Sequence, residues 1–103
     1  MGTGFDFKKF EGFDWDEGNL LKNKLKHRVS IKECEEVFYN KPLLINEDKN
    51  HSNKEIRFQA LGVTGNNRLL FIVFTKRNNK VRVISARDQS KKERLIFNNI
   101  NKL

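Results

Sequence analysis

Hydrophobic residues recur along this chain with two periods, and the switches between them mark the elements. Residues 10–15 alternate, with Phe13 and Trp15 on one side and Gly12 and Asp14 on the other, which predicts a short strand. Asp16 caps a predicted helix reaching about Lys26; Trp15 and Leu20 flank the cap as a staple, and Leu21 and Leu25 extend its apolar stripe. Ser30-Ile31-Lys32-Glu33 then reads as a capping box, with Val29 and Cys34 placed to staple it. Ile31, Cys34, Val37 and Phe38 form the buried stripe of this second helix, which Asn40 and Pro42 end. The period then changes to two.

Residues 43–45 predict a short strand and 46–54 a polar loop. Across 56–61, Ile56, Phe58 and Ala60 share one face, with Arg57 and Gln59 opposite. Gly65-Asn66-Asn67 is a turn. Residues 68–75 are apolar on both faces, the mark of a central strand. Residues 77–80 turn the chain into a strand over 81–86, where Val81 and Val83 share a face and Arg82 takes the other. Ser90-Lys91-Lys92-Glu93 repeats the capping-box pattern and opens a last helix with the stripe Ile96, Ile100 and Leu103. The order β-α-α-β-β-β-β-α predicts an α+β domain: an antiparallel sheet with helices packed on one face.

A chain of 103 residues has room for one domain, here 10–103, after a polar, flexible segment at 1–9. Its 21 Lys and Arg against 13 Asp and Glu leave a formal charge of +8, which favours a polyanionic partner. No apolar run approaches the ~20 residues of a membrane span, and the N-terminus has no signal-peptide pattern. With one cysteine, Cys34, no internal disulfide forms, which fits a reducing cytoplasm. Cys34 lies on an apolar stripe and reads as core. His27 and His51 are the only histidines, 24 positions apart, and the carboxylates show no paired spacing, so no metal site is expected.

If the apolar strand faces meet the helices, Arg57, Gln59 and Arg82 fall on the open face of the sheet, with Arg77 in a hairpin turn and Arg87 after the last strand. Forked guanidinium donors on an open sheet suit phosphate groups. RNA cleavage by 2′-OH attack needs a base, a group that stabilises the phosphorane, and an acid for the 5′-oxygen. Arginine serves the second role but stays protonated, so the base is left among Lys26, His27, His51 and Glu55. Cations around His27 in Lys26-His27-Arg28 favour its neutral form. Glu55, two residues before Arg57, is placed to orient that arginine, and Lys91 and Lys92 are placed to collect RNA.

Several segments, in this order, resemble the BrnT family of bacterial type II toxins. They are Phe13-Asp14-Trp15-Asp16, Asn23-x-x-Lys26-His27 with Val29-Ser30, Val37-Phe38, and His51-Ser52 with Glu55-x-Arg57-Phe58. Leu61-Gly62, Arg82-Val83-Ile84-Ser85-Ala86-Arg87 and Lys92-Glu93-Arg94 complete the set, which covers roughly 13–97. The resemblance implies a RelE-like fold, growth-arresting endoribonuclease activity without a cofactor, and neutralisation by a BrnA-type ribbon-helix-helix antitoxin, through which alone the complex meets DNA. It also implies that basic residues matching Lys26, His27, Arg57, Arg77 and Arg87 form the catalytic site; the residue pattern itself places Glu55, Arg82, Lys91 and Lys92 beside the substrate. Two departures stand out: Arg28 where members often have Gly, and Phe97 where many have Tyr. They define the alternative reading, a catalytically weak module that binds antitoxin and co-represses its operon.

Overall fold

The computed structural model describes residues 10–15, 27–51 and 55–101. The body of the first predicted helix, Lys26 included, and the segment 1–9 lie outside the described residues. Four strands form one antiparallel meander, β1 (Leu44–Glu47), β2 (Arg57–Val63), β3 (Leu69–Arg77) and β4 (Lys80–Asp88), with helices α1 (Ile31–Tyr39) before and α2 (Lys91–Asn101) after it. The sheet order follows the chain order, as short antiparallel connections favour.

Helix α1 starts as its sequence dictates. The Ser30 side chain accepts from the Glu33 N–H, and the Glu33 carboxylate accepts from the Ser30 N–H. Cys34, Val37 and Phe38 face the sheet, where Phe38 meets Phe74 edge-on at 5.0 Å and Phe74 stacks on Phe58 at 5.3 Å. Phe58, Ala60, Ile72, Phe74, Val81, Val83 and Ala86 supply the sheet side of this core. Burial pushes the Cys34 thiol up to about 12, so it stays a protonated core group.

The opposite face is not bare. Leu44, Leu61 and Phe71 belong to that face and line a cleft with Ser90, Glu93 and Ile96 of the α2 end. Helix α2 therefore covers the side of the sheet away from α1, which corrects the expectation of helices on one face. The reason is β3 itself: Leu70, Ile72 and Phe74 point to α1, while Leu69, Phe71 and Val73 need cover on the other side. The stripe of α2 is corrected too. Phe97 is its buried residue at 2% exposure, whereas Ile96 is 44% exposed and Ile100 36%; Leu103 lies outside the described residues.

Other boundaries shift. Strand β1 continues through Asn46 and Glu47, expected in a loop, because both pair with β2. Arg77 and Arg87 are strand residues, not turn or post-strand residues, and the β3–β4 hairpin turns on Asn78 and Asn79, at φ 52° and 69°. The predicted first strand is reduced to one parallel bridge from Phe13 to Val81, held by Asp14 N–H to Val81 O at 2.8 Å and Val81 N–H to Gly12 O at 2.9 Å.

Gly62 fixes how closely α1 seats. A Cβ at this position would lie 2.5 Å from Val37 Cγ1 and 3.3 Å from Leu43 Cδ1. Gly62→Ala is expected to cost about 1–3 kcal/mol, and thermal unfolding should show a Tm lowered by ~4–8 °C for each kcal/mol. An unchanged Tm would mean that α1 does not rest on β2 here.

Candidate functional site

The face of the sheet turned from α1 carries the candidate chemistry. Arg57, Thr75 and Arg82 are Cα partners in one row across β2, β3 and β4, and Gln59, Val73 and Ser85 form the next. Leu61, Phe71 and Arg87 make the row beyond that. Strict alternation would put Arg82 and Arg87, five residues apart, on opposite faces. A bulge prevents this: Val73 pairs with Ser85 but Phe74 pairs with Val83, leaving Ile84 as the extra residue. The bulge thus returns Arg87 to the face of Arg82.

Each arginine of the face is held. Arg77 grips Glu55 through two bonds of 3.0 Å, at the margin of the Arg57–Arg82 row. The hydrogen bonds from Arg77 hold the Glu55 carboxyl below its usual range; burial opposes this, and the charges of Arg77, Arg82 and Arg57 add to the lowering. Glu55 therefore reports that the three guanidinium groups share one field. Arg82 Nη1 also donates to Asp14 at 3.3 Å, tying the N-terminal bridge to the face. Thr75, between the arginines, is 2% exposed and donates its hydroxyl to Ile56 O at 2.9 Å.

Arg87 is built differently. Its guanidinium lies 4.2 Å over the Phe71 ring and donates to both Glu93 oxygens at 2.8 and 2.9 Å. Burial would raise the Glu93 carboxyl, but Arg87 and the Ser90 N–H outweigh it and hold Glu93 low. Glu93 is thus both the α2 capping-box acid and the partner of Arg87.

The expected site residues do not meet at one point. Arg57, Arg82, Arg77 and Glu55 gather at one end of the face, while Arg87 lies four residues further along β2 and β3, about 13 Å at ~3.3 Å per residue. Lys92 lines the cleft between α2 and the sheet; Lys91 is exposed and is not among its walls. His27 is half-buried near the far end of β4, where its charge acts on Asp88. Lys26 lies outside the described residues, as does the side chain of His51. Among the described residues, no three His, Cys, Asp or Glu side chains cluster as a metal site.

Arg68 escaped the sequence reading, where it passed as the first residue of a strand. It is a hub of hydrogen bonds. It bonds both Asp88 oxygens at 2.7 and 3.2 Å, Glu33 at 3.0 Å, and the carbonyls of Arg28 at 3.0 Å and His27 at 3.2 Å. One guanidinium thereby joins the start of α1, the end of β4 and the turn that follows His27. That turn keeps the left-handed geometry that suits Gly, with Arg28 at φ 54°, a conformation costing a non-glycine residue ~1–2 kcal/mol. The only sequence signal for this hub was an arginine heading an otherwise apolar strand.

In this α+β domain the arginines on one sheet face offer forked donors of the kind that suit anionic groups, and the charge of +8 suits a polyanion. The family described as ribonuclease toxin, BrnT, of type II toxin-antitoxin system matches residues 15–93, and the chain belongs to it. Membership makes it one of a family of ribonuclease toxins and brings with it an antitoxin partner. No curated protein sequence matches the chain. No described helix is long and apolar enough to cross a membrane.

The Arg68 hub has a pH signature. Burial raises Glu33, but the Ser30 N–H and Arg68 hold it below its ordinary 4.5; hydrogen bonds from Arg68 hold Asp88 below 3.8. Carboxyls depressed in the fold contribute stability that is present above those ordinary values and is lost as pH falls through the folded ones. Arg68→Gln should therefore lower Tm most at neutral pH, and the gap from the parent should close as the pH drops below 4.5 and then 3.8. A gap constant across pH 7 to about 2.5 would show that the ion pairs contribute nothing.

Proposed function

We propose that the protein is a metal-independent endoribonuclease toxin with a RelE-like fold, acting in the cytoplasm. It cleaves RNA by attack of a 2′-OH on the adjacent phosphorus: the new P–O2′ bond closes a 2′,3′-cyclic phosphate as the P–O5′ bond breaks, and the departing 5′-oxygen takes a proton from solvent. The observation that carries this reading is the Arg57–Thr75–Arg82 row with Arg77–Glu55 at its margin: three guanidinium groups around one ionised carboxylate on the sheet face turned from α1. Arg57 and Arg82 hold the phosphate oxygens and stabilise the phosphorane as charge develops on them. Glu55 is the described proton acceptor beside these arginines, ionised at neutral pH, and it takes the 2′-OH proton. Arg87 and Lys92 hold the chain further along the same face. His27, His51 and Lys26 remain the other candidates for the base, with His27 near the opposite end of β4.

The antitoxin we assign is a BrnA-type ribbon-helix-helix protein, and contact with DNA runs through it. The two departures from the family pattern do not favour an inert module. The ring of Phe97 is buried, so position 97 is a packing site, and Arg28 preserves the turn that a glycine would make.

Induced expression should stop growth, and purified protein should cut RNA in EDTA. Arg57→Ala and Arg82→Ala should each cost ~10²–10³ in rate. Glu55→Gln should lower kcat by ~10²–10⁴ with little change in KM. Continued growth with intact RNA would reject ribonuclease action, whereas loss on His27→Gln but not on Glu55→Gln would move the base to the other end of β4.

A further inference from the structure

Between α2 and the β1–β2 side of the sheet lies a cleft of about 270 Å³, next to the arginine row. Its walls are of two kinds. Leu44, Phe71 and Ile96 make it apolar, and Ile96 stays 44% exposed at its lip although it belongs to a helix that buries Phe97 beside it. Asn46 and Gln59 are polar and are Cα partners across β1 and β2, so their two amides enter the cleft side by side. Neither amide side chain hydrogen-bonds to any described residue.

We infer that this cleft is a nucleobase subsite, which takes one unstacked base of the RNA and makes cleavage depend on the base next to the scissile phosphate. The inference rests on the ribonuclease reading above. The chemistry fits a base in three respects. A planar heterocycle needs apolar surface for its faces, and Leu44, Phe71 and Ile96 offer it. Its edge needs donors and acceptors together, which a side-chain amide supplies and an arginine does not. Its phosphate must fall on a cation, and Arg57 lies two residues from Gln59 on the same face, ~7 Å along the strand. Lys92 lines the same cleft and serves a second phosphate. The volume lies just under the ~300 Å³ where pockets for drug-sized ligands begin, which suits a single base. Asn46 was expected in a loop; its place in β1 is what brings it beside Gln59.

The test has two arms. In the first, the four ribonucleoside 3′-monophosphates are titrated into the protein and followed by the side-chain amide NMR signals of Asn46 and Gln59, with inorganic phosphate and ribose 5-phosphate as controls. At least one nucleotide should shift both amides where the controls do not, and Gln59→Leu should weaken that nucleotide about tenfold. In the second, the cut sites in a mixed-sequence RNA are mapped for the parent, Gln59→Leu and Asn46→Ala, and both variants should redistribute them. Shifts that ribose 5-phosphate reproduces, or cut sites identical in all three proteins, would overturn the subsite. Base-dependent shifts with RNA left intact would keep the subsite and reject cleavage. Cleavage without base-dependent shifts would do the reverse.

Discussion

Strand β3 sets the terms for the rest of the molecule. It is central and apolar on both sides, so neither of its faces can be left to water. Ile72 and Phe74 are covered by α1, and the seating of that helix is limited by the missing side chain at Gly62. Phe71 is covered from the other side, partly by the approach of α2 and partly by the guanidinium of Arg87. The Arg57–Thr75–Arg82 end of the same face carries arginines instead, whose long aliphatic stems suit them to lie over apolar surface with the charged head outermost. The hydrophobic demand of one strand thus positions both the core and the charged surface.

Much of the fold could be read from local pattern because local chemistry decides it. Both capping boxes form as written, since Ser30 and Ser90 act on residues three positions away. Strand existence and order followed from alternation. What escaped depended on partners distant in sequence. The apolar doublet at 96–97 and the spacing to Ile100 fit more than one helical stripe, and only the sheet decides that Phe97 is the buried member. Apolar residues on both faces of β3 call for cover on both sides, but they do not say which helix supplies which, so the place of α2 is decided only by the packed sheet.

The site was legible in its residue types and less so in its arrangement. Arg57 and Arg82 lie on the face that alternation assigned to them. Arg87 could not be placed by alternation, because one extra residue at Ile84 reverses the phase of β4 and nothing in Val83-Ile84-Ser85 announces it. Arg68 was invisible for a related reason: its partners Glu33 and Asp88 are 35 and 20 positions away. Its position at the head of an apolar strand disguised a polar knot that fastens three segments.

Three arginines of this face are already paired with carboxylates, Arg77 with Glu55, Arg82 with Asp14 and Arg87 with Glu93. An incoming phosphate that takes one of these guanidinium groups displaces a tethered anion of the protein's own rather than arriving at bare positive charge. The exchange is of one anion for another, so the desolvation that a naked cation cluster would suffer is largely avoided. The cluster also stays folded without a ligand, because mutual repulsion among its cations is cancelled in advance. Fewer small ions are then released when a nucleic acid binds than the number of arginines suggests, and the grip depends less on bulk salt than the charge of +8 implies.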